Sequence, residues 1–353
     1  MSEDCLYLSV WAPLQSQVEG KKVPVMVWFH GGAFVSGWGG DGLFHGDYIV
    51  NSTSDTIVVT TNYRLGPLGW ITNPDLQGNF GFLDQQMALQ WVQDNIAAFG
   101  GDPSRVTIFG QSAGGMSVSL HTLAPGSAHL FSRAIVESNP VGVNYRTPEE
   151  SYVYTQVLGN LVNCSYTDTA CLRAVSWEDL IDAEVLGYAA TRLPLRTTEF
   201  LPYSPVIDGT IIPQQPMDAY RSGKVNSQIE AIAMGVVRNE TLAFLPDLPL
   251  FQVTYKAMLD IVFGQNSSVV MQQYPDQRGS NMNQFSILST DWLFECATRF
   301  AASAYVGSNI PTYTYQFMHA PTDDPINNNK PLCGVSEDHQ HHPLLRFSSM
   351  YPC

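Results

Sequence analysis

Charge is scarce in this chain, and long apolar runs are absent. Asp, Glu, Lys and Arg make up 14% of the 353 residues. No stretch approaches the roughly 18 consecutive apolar residues of a membrane-spanning helix, so a span is excluded. Basic residues are scarcer still, 17 Lys and Arg against 32 Asp and Glu, and the formal charge of -15 excludes the electrostatic footprint of a nucleic-acid binder. The acidic residues are spread rather than run together, which reads as a solvated surface. No low-complexity linker divides the sequence and no internal repeat is evident, so residues 1–353 read as one domain, with 322–353 an irregular, divergent tail. The opening Met1-Ser2-Glu3-Asp4 lacks the basic and apolar regions of a signal peptide. What is present is a 44% hydrophobic composition, enough for a sizeable core.

One segment concentrates chemistry. Val106 to Gly115, VTIFGQSAGG, sets Ser112 inside G-x-S-x-G after an apolar β-branched run and before a helix-compatible stretch. The pattern predicts a strand, a sharp turn made possible by Gly110 and Gly114, and a helix whose free N–H groups and positive end face the serine. A serine attacking a carbonyl also needs oxyanion donors, a base and a carboxylate to orient that base. Val23 to Phe29 reads as a buried strand running into His30-Gly31-Gly32-Ala33-Phe34, a small-residue loop of the HGGG type. The N–H groups of Gly32, Ala33 and Ala113 are the expected oxyanion donors. Downstream, Ile229 to Val237 is another strand-like run, followed by Glu240. Position alone would make Glu240 an ordinary solvated loop carboxylate. Asp208 is the competing carboxylate, although Asp208-Gly209 has turn chemistry.

These residues, with the segments SEDCLYLSVWAP from Ser2, NYRLGPLGW from Asn62, the block from Gly78 to Gly115, SPVIDG from Ser204, GVVRNE from Gly235 and YTYQFMHAP from Tyr313, resemble the type B carboxylesterases. That group of the α/β-hydrolases includes the cholinesterases. The resemblance implies an α/β fold, a mostly parallel central sheet with helices on both faces, and a secreted serine hydrolase that cleaves carboxylic esters through an acyl-enzyme. It implies no cofactor and no metal, and its expected partner is a small ester substrate. It moves Glu240 from loop carboxylate to catalytic acid, with Val237 in place of the usual Asn and Thr241 in place of the Gly after the acid. A base histidine is expected after YTYQF. Counting from Gly334 reaches Glu337, which cannot serve; counting from Cys333 reaches His339, preferred here over His341 and His342. A solvated His-rich tail is the plain alternative, and His319 matches a family histidine with no base role. Gln111 stands where cholinesterases carry Glu, which favours a general carboxylic ester over a choline ester. The alternative is a non-catalytic binding or adhesion relative, or an inactive fragment.

The resemblance also implies a pairing of Cys164 with Cys171 across NCSYTDTAC, and partners for Cys5 and Cys296 beyond this chain. It leads us to expect a chain incomplete at both ends and a poor esterase as written. Asn51, Asn163, Asn239 and Asn266 lie in N-x-S/T sequons. The remaining segments read as scaffold. Ala88, Val92, Ile96 and Phe99 share a helical face that stops at Gly100-Gly101, Asp102-Pro103 opens a turn, and Ile57 to Thr61 is a strand. Arg64 is expected to tie loops together, while His45, His121 and His129 are expected to be structural or superficial.

Overall fold

Runs of Val, Ile, Phe and Trp unbroken by polar residues suit strands that are covered on both faces. The computed structural model describes residues 2–14, 20–191, 201–242, 254–276 and 281–318, and places such runs at the centre of one seven-stranded sheet. Its strands are β1 (Leu8–Trp11), β2 (Val23–Phe29), β3 (Ile57–Thr61), β4 (Gly101–Gln111), β5 (Arg133–Glu137), β6 (Ala231–Val237) and β7 (Thr312–Phe317). Their spatial order is β1-β3-β2-β4-β5-β6-β7. Only the β1–β3 pair is antiparallel; each of the other pairs is parallel.

The strands expected at Val23–Phe29 and Ile57–Thr61 form with those bounds, and the run expected from Ile229 begins at Ala231. Pro24 sits in a strand paired on both sides, where a residue without an N–H breaks the ladder. The register between β2 and β4 shifts at that point, from Val23 opposite Gly101 to Val25 opposite Val106, so the bulge absorbs Pro24 and Pro103 together. Asp102-Pro103 therefore does not open a separate turn as expected. It lies inside β4, and the turn chemistry survives locally, with Asp102 Oδ1 accepting from Ser104 N–H at 3.0 Å.

One face of the sheet buries Val25, Val27, Ile57, Val59, Val106, Ile108 and Val136 against Leu89, Val92 and Ile96, Val118, and Ala301 and Tyr305. Those partners come from helices Phe80–Asn95, Ala113–His121 and Cys296–Gly307 and from the turn at Ile96. The stripe on the first helix is centred on Leu89, with Ala88 only half-buried, and it takes in polar Asp84 and Gln85. Gly100, at φ 87°, ends the segment as its lack of a Cβ allows. The other face packs Trp28, Val58 and Phe109 with Val50 of helix Asp47–Thr53. With every strand but β1 parallel, the carboxyl ends of β2, β4, β5 and β6 meet at one edge, where such sheets carry their sites.

Candidate active site

At that edge β4 ends at Gln111, and helix Ala113–His121 begins one residue past Ser112. Ser112 takes φ 57° and ψ -121°, a conformation that costs a residue with a side chain about 1–3 kcal/mol and persists only where the surroundings impose it. The surroundings are visible. Ser112 N–H donates to Glu137 O at 3.0 Å and Ser112 O accepts from Met116 N–H at 2.8 Å, so the turn is tied to β5 on one side and to the helix on the other. Gly114 lies so close to β2 that a Cβ there would stand 1.9 Å from Phe29 O. At Gly110 it would stand 2.7 Å from Phe29 O and from the Gly114 backbone. Both glycines of the motif are therefore demanded by the close approach of strand and helix.

The loop after β2 closes on the same point. A Cβ on Gly31 would lie 2.8 Å from Gln111 O and 3.3 Å from Ser112 Cβ. Gly32 turns at φ 106°, and Ala33 and Phe34 follow at 55° and 63°. The Gly32 carbonyl accepts from the N–H groups of Val35 and Ser36, which folds the loop back on itself. Phe34 is fully buried, edge-on to Trp70, and its carbonyl takes the Gly66 N–H at 2.8 Å. Below the loop, His30 stacks on Tyr63 with ring centroids 4.4 Å apart, and Tyr63 O–H donates to His30 O at 2.7 Å. Burial holds the His30 imidazole below its ordinary pKa. Gly31 O, 2.7 Å from Nδ1, can only accept, which assigns the proton to Nδ1. Among the described residues the N–H groups of Gly32, Ala33 and Ala113 make no hydrogen bond, so three donors beside Ser112 are uncommitted.

Glu240 follows β6, two strands from Ser112 across the shared neighbour β5. Its Oε1 accepts Val237 N–H at 2.8 Å, Glu240 N–H donates to Thr290 Oγ1 at 3.0 Å, and the Ser138 hydroxyl lies near enough to the carboxylate to favour its charged form. Burial pushes its pKa up, and the Val237 and Ser138 hydrogen bonds pull it down. On β5, Glu137 is a half-buried carboxylate that the sequence did not single out, raised by burial alone. Gln111, Glu137, Gly235 and Tyr315 form one cross-strand row. Gly235 exists there because a Cβ would meet the Tyr315 ring at 2.0 Å. Burial, then the carboxylates of Glu137 and Glu240, keep the Tyr315 phenol protonated. Ser138 was open to detection, since a hydroxyl directly after the strand between serine and acid is well placed; Thr290 carries no such local signal.

The other expected residues fall as follows. Asp208 is committed to a turn, its Oδ1 accepting from the N–H groups of Thr210, Ile211 and Ile212 and its Oδ2 from Asn79 Nδ2 at 2.8 Å. Arg64 grips Asp84 through Nε and a terminal nitrogen, each at 2.7 Å, and so joins the loop after β3 to helix Phe80–Asn95. His121 is buried between Phe29 and Phe82, with Nε2 on Gln85 Oε1 and Nδ1 on Ser127 Oγ, and burial lowers its pKa to about 3. His129 is exposed, and so is His45, which lies against Trp11. Cys164 and Cys171 form a disulfide with Cα atoms 5.7 Å apart. His339, His341, His342 and His319, with Cys333, Gly334 and Glu337, lie outside the described residues. No helix among the described residues is long and apolar enough to cross a membrane.

A mostly parallel sheet, a strained serine between the fourth strand and its helix, and a glycine loop with idle N–H donors beside it define an α/β-hydrolase. The carboxylesterase family model matches residues 1–347, and the chain belongs to that family. It is 37% identical over 327 residues to the cAMP-regulated D2 protein of Dictyostelium discoideum, covering 90% of this chain and 59% of that protein. To acetylcholinesterase of Electrophorus electricus it is 35% identical over 365 residues, 99% of this chain and 51% of the relative. Among solved structures it superposes on a thermophilic PNB esterase with a TM-score of 0.77 and 32% identity, covering 93% of this chain and 66% of that one. The chain thus spans little more than half the length of these curated relatives.

Proposed function

We propose that this protein is a serine hydrolase of carboxylic esters. The observation that carries the reading is Ser112 held at φ 57° beneath a helix N-terminus, with uncommitted N–H groups of Gly32, Ala33 and Ala113 around it. Ser112 Oγ attacks the ester carbonyl carbon as His339 accepts its proton. The three N–H groups stabilise the oxyanion of the tetrahedral intermediate. The C–O bond to the alcohol then breaks, and the imidazolium returns its proton to the departing oxygen. Water, deprotonated by the same imidazole, repeats the attack on the acyl-enzyme and releases the acid and Ser112. Glu240 orients the imidazole and offsets its charge. No cofactor takes part in this sequence.

Several relatives are named for esters or lipids: acetylcholinesterase, cholinesterase, bile salt-activated lipase and cocaine esterase. Gln111 puts a neutral amide before the serine, so we assign a general carboxylic ester rather than a cationic one. The exposed sequons at Asn51, Asn163 and Asn266 support a secreted glycoprotein. A second reading, a non-catalytic binding protein, draws on two Dictyostelium relatives whose names state no reaction, the cAMP-regulated D2 protein and the crystal protein. Hydrolysis of p-nitrophenyl butyrate separates the two. The catalytic reading expects turnover that falls by about 10⁶ in Ser112→Ala, leaving the residual rate that binding and an oxyanion hole supply. Equal rates in both proteins would favour the binding reading.

A further inference from the structure

The turn that carries Glu240 has no regular structure of its own, yet four hydroxyls fasten it to a single helix end. Helix Asn281–Thr290 supplies Ser286, Ser289 and Thr290, and all three side chains are buried. Thr290 Oγ1 accepts the Glu240 N–H at 3.0 Å. One residue on, buried Thr241 meets Ser289 Oγ at 2.6 Å and Ser286 O and Oγ at 3.3 Å. Ser289 O–H donates to Phe285 O at 2.6 Å, so the chain of donors runs from the turn into the helix backbone. Immediately after Thr290 the helix widens into a π-turn, Asp291–Glu295. Such turns gather at functional sites. Its Leu293 carbonyl takes the Gly142 N–H at 2.9 Å, on the loop that follows β5 and carries Ser138. One helix end therefore braces both the Glu240 backbone and the loop after β5 that brings Ser138 near the Glu240 carboxylate.

Resting on the catalytic reading above, we propose that Thr290 and Thr241 are positioning residues that lock the acid turn onto helix Asn281–Thr290 and so fix where Glu240 meets the base. Neither touches substrate. Thr241 fills the place where the resembled pattern has glycine, and a glycine could not make the bond to Ser289. The turn here is held by side-chain hydroxyls, where a glycine turn would rely on backbone alone.

The test uses the full chain with Thr290→Val, Thr290→Ser, Glu240→Gln and the double variant Thr290→Val/Glu240→Gln. Amide hydrogen exchange over residues 236–242 reads the lock without reference to activity, and thermal unfolding confirms that each variant is folded. The rate of acylation by p-nitrophenyl butyrate reads its consequence. Thr290→Val should exchange faster over this turn while helix Cys296–Gly307 stays protected. It should acylate about ten- to a hundredfold more slowly, the scale of an ångström-sized misplacement, with KM nearly unchanged. The acid limb of its pH–rate profile should move to lower pH, because a carboxylate displaced from the imidazole no longer raises the imidazole pKa. Thr290→Ser should restore both readouts, and adding Thr290→Val to Glu240→Gln should cost nothing further. Unchanged exchange over the turn, or a loss fully additive with Glu240→Gln, would overturn the proposal. Wild-type rates in Glu240→Gln would instead overturn the acid assignment and leave the lock to be judged by exchange alone.

Discussion

Ser112 combines a left-handed φ with a hydrogen bond from its own N–H to Glu137 O, and the two glycines around it are there because backbone, not side chain, occupies the neighbouring space. Replacing Gly114 with Ala would drive a methyl to within 1.9 Å of Phe29 O before relaxation. We expect a loss of about 1–3 kcal/mol in urea unfolding, together with slower acylation of Ser112, because relaxation must pull helix Ala113–His121 off β2. A Gly114→Ala variant of full stability would mean that the helix is not pinned there. His121 makes a second prediction at this scale. Its folded pKa is lowered to about 3 while the unfolded chain keeps the ordinary 6.5, so between those values the unfolded state binds the extra proton. The stability that neutral His121 supports is complete above pH 6.5 and is lost as pH falls toward 3, by up to about 1.4 kcal/mol per pH unit. Urea midpoints of His121→Gln should fall less steeply over that window; an identical slope would place the acid sensitivity elsewhere. At this scale the motif residues were legible in the sequence, because the glycines of G-x-S-x-G and HGGAF sit where backbone approaches too closely for a side chain. Glu137 and Thr290 were not, since what defines them is burial beside a partner far off in the chain.

The strands were readable where both faces are covered. Val23–Phe29 and the Ile57–Val59 part of β3 are apolar because helices pack on one side, while on the other Trp28 and Val58 meet Val50 of helix Asp47–Thr53. Truncating Ile108, fully buried in β4 between β2 and β5, should cost about 2–5 kcal/mol as Ile108→Ala in chemical denaturation. A loss under 1 kcal/mol would show that the sheet centre repacks freely. Asp102-Pro103 was misplaced because turn residues look alike in a loop and in a bulge; only the facing Pro24 reveals that both interrupt the same ladder. The Cys164–Cys171 bridge closes a small loop between helices Pro148–Leu161 and Thr169–Ala174. A short ring removes modest entropy from the unfolded chain, roughly 2–3 kcal/mol, so Cys164→Ala/Cys171→Ala should lower the unfolding temperature yet leave the sheet intact by far-ultraviolet circular dichroism.

Across the whole molecule, the ends of β2, β4, β5 and β6 bring a donor loop, a serine, its supporting carbonyl and a carboxylate to one edge of the sheet, from segments more than two hundred residues apart. That convergence follows from parallel order, and the order could be anticipated only through resemblance, since no local pattern states which strand lies beside which. The site needs a base to complete it, and the assignment to His339 rests on sequence. The most direct measurement of the central claim is covalent. A fluorophosphonate probe incubated with the full chain, followed by digestion and mass spectrometry, should attach to the peptide spanning Gly110 to Gly115 with the adduct on Ser112. Labelling should vanish in Ser112→Ala and slow strongly in His339→Ala. Probe on any other residue, or labelling that survives Ser112→Ala, would contradict the account.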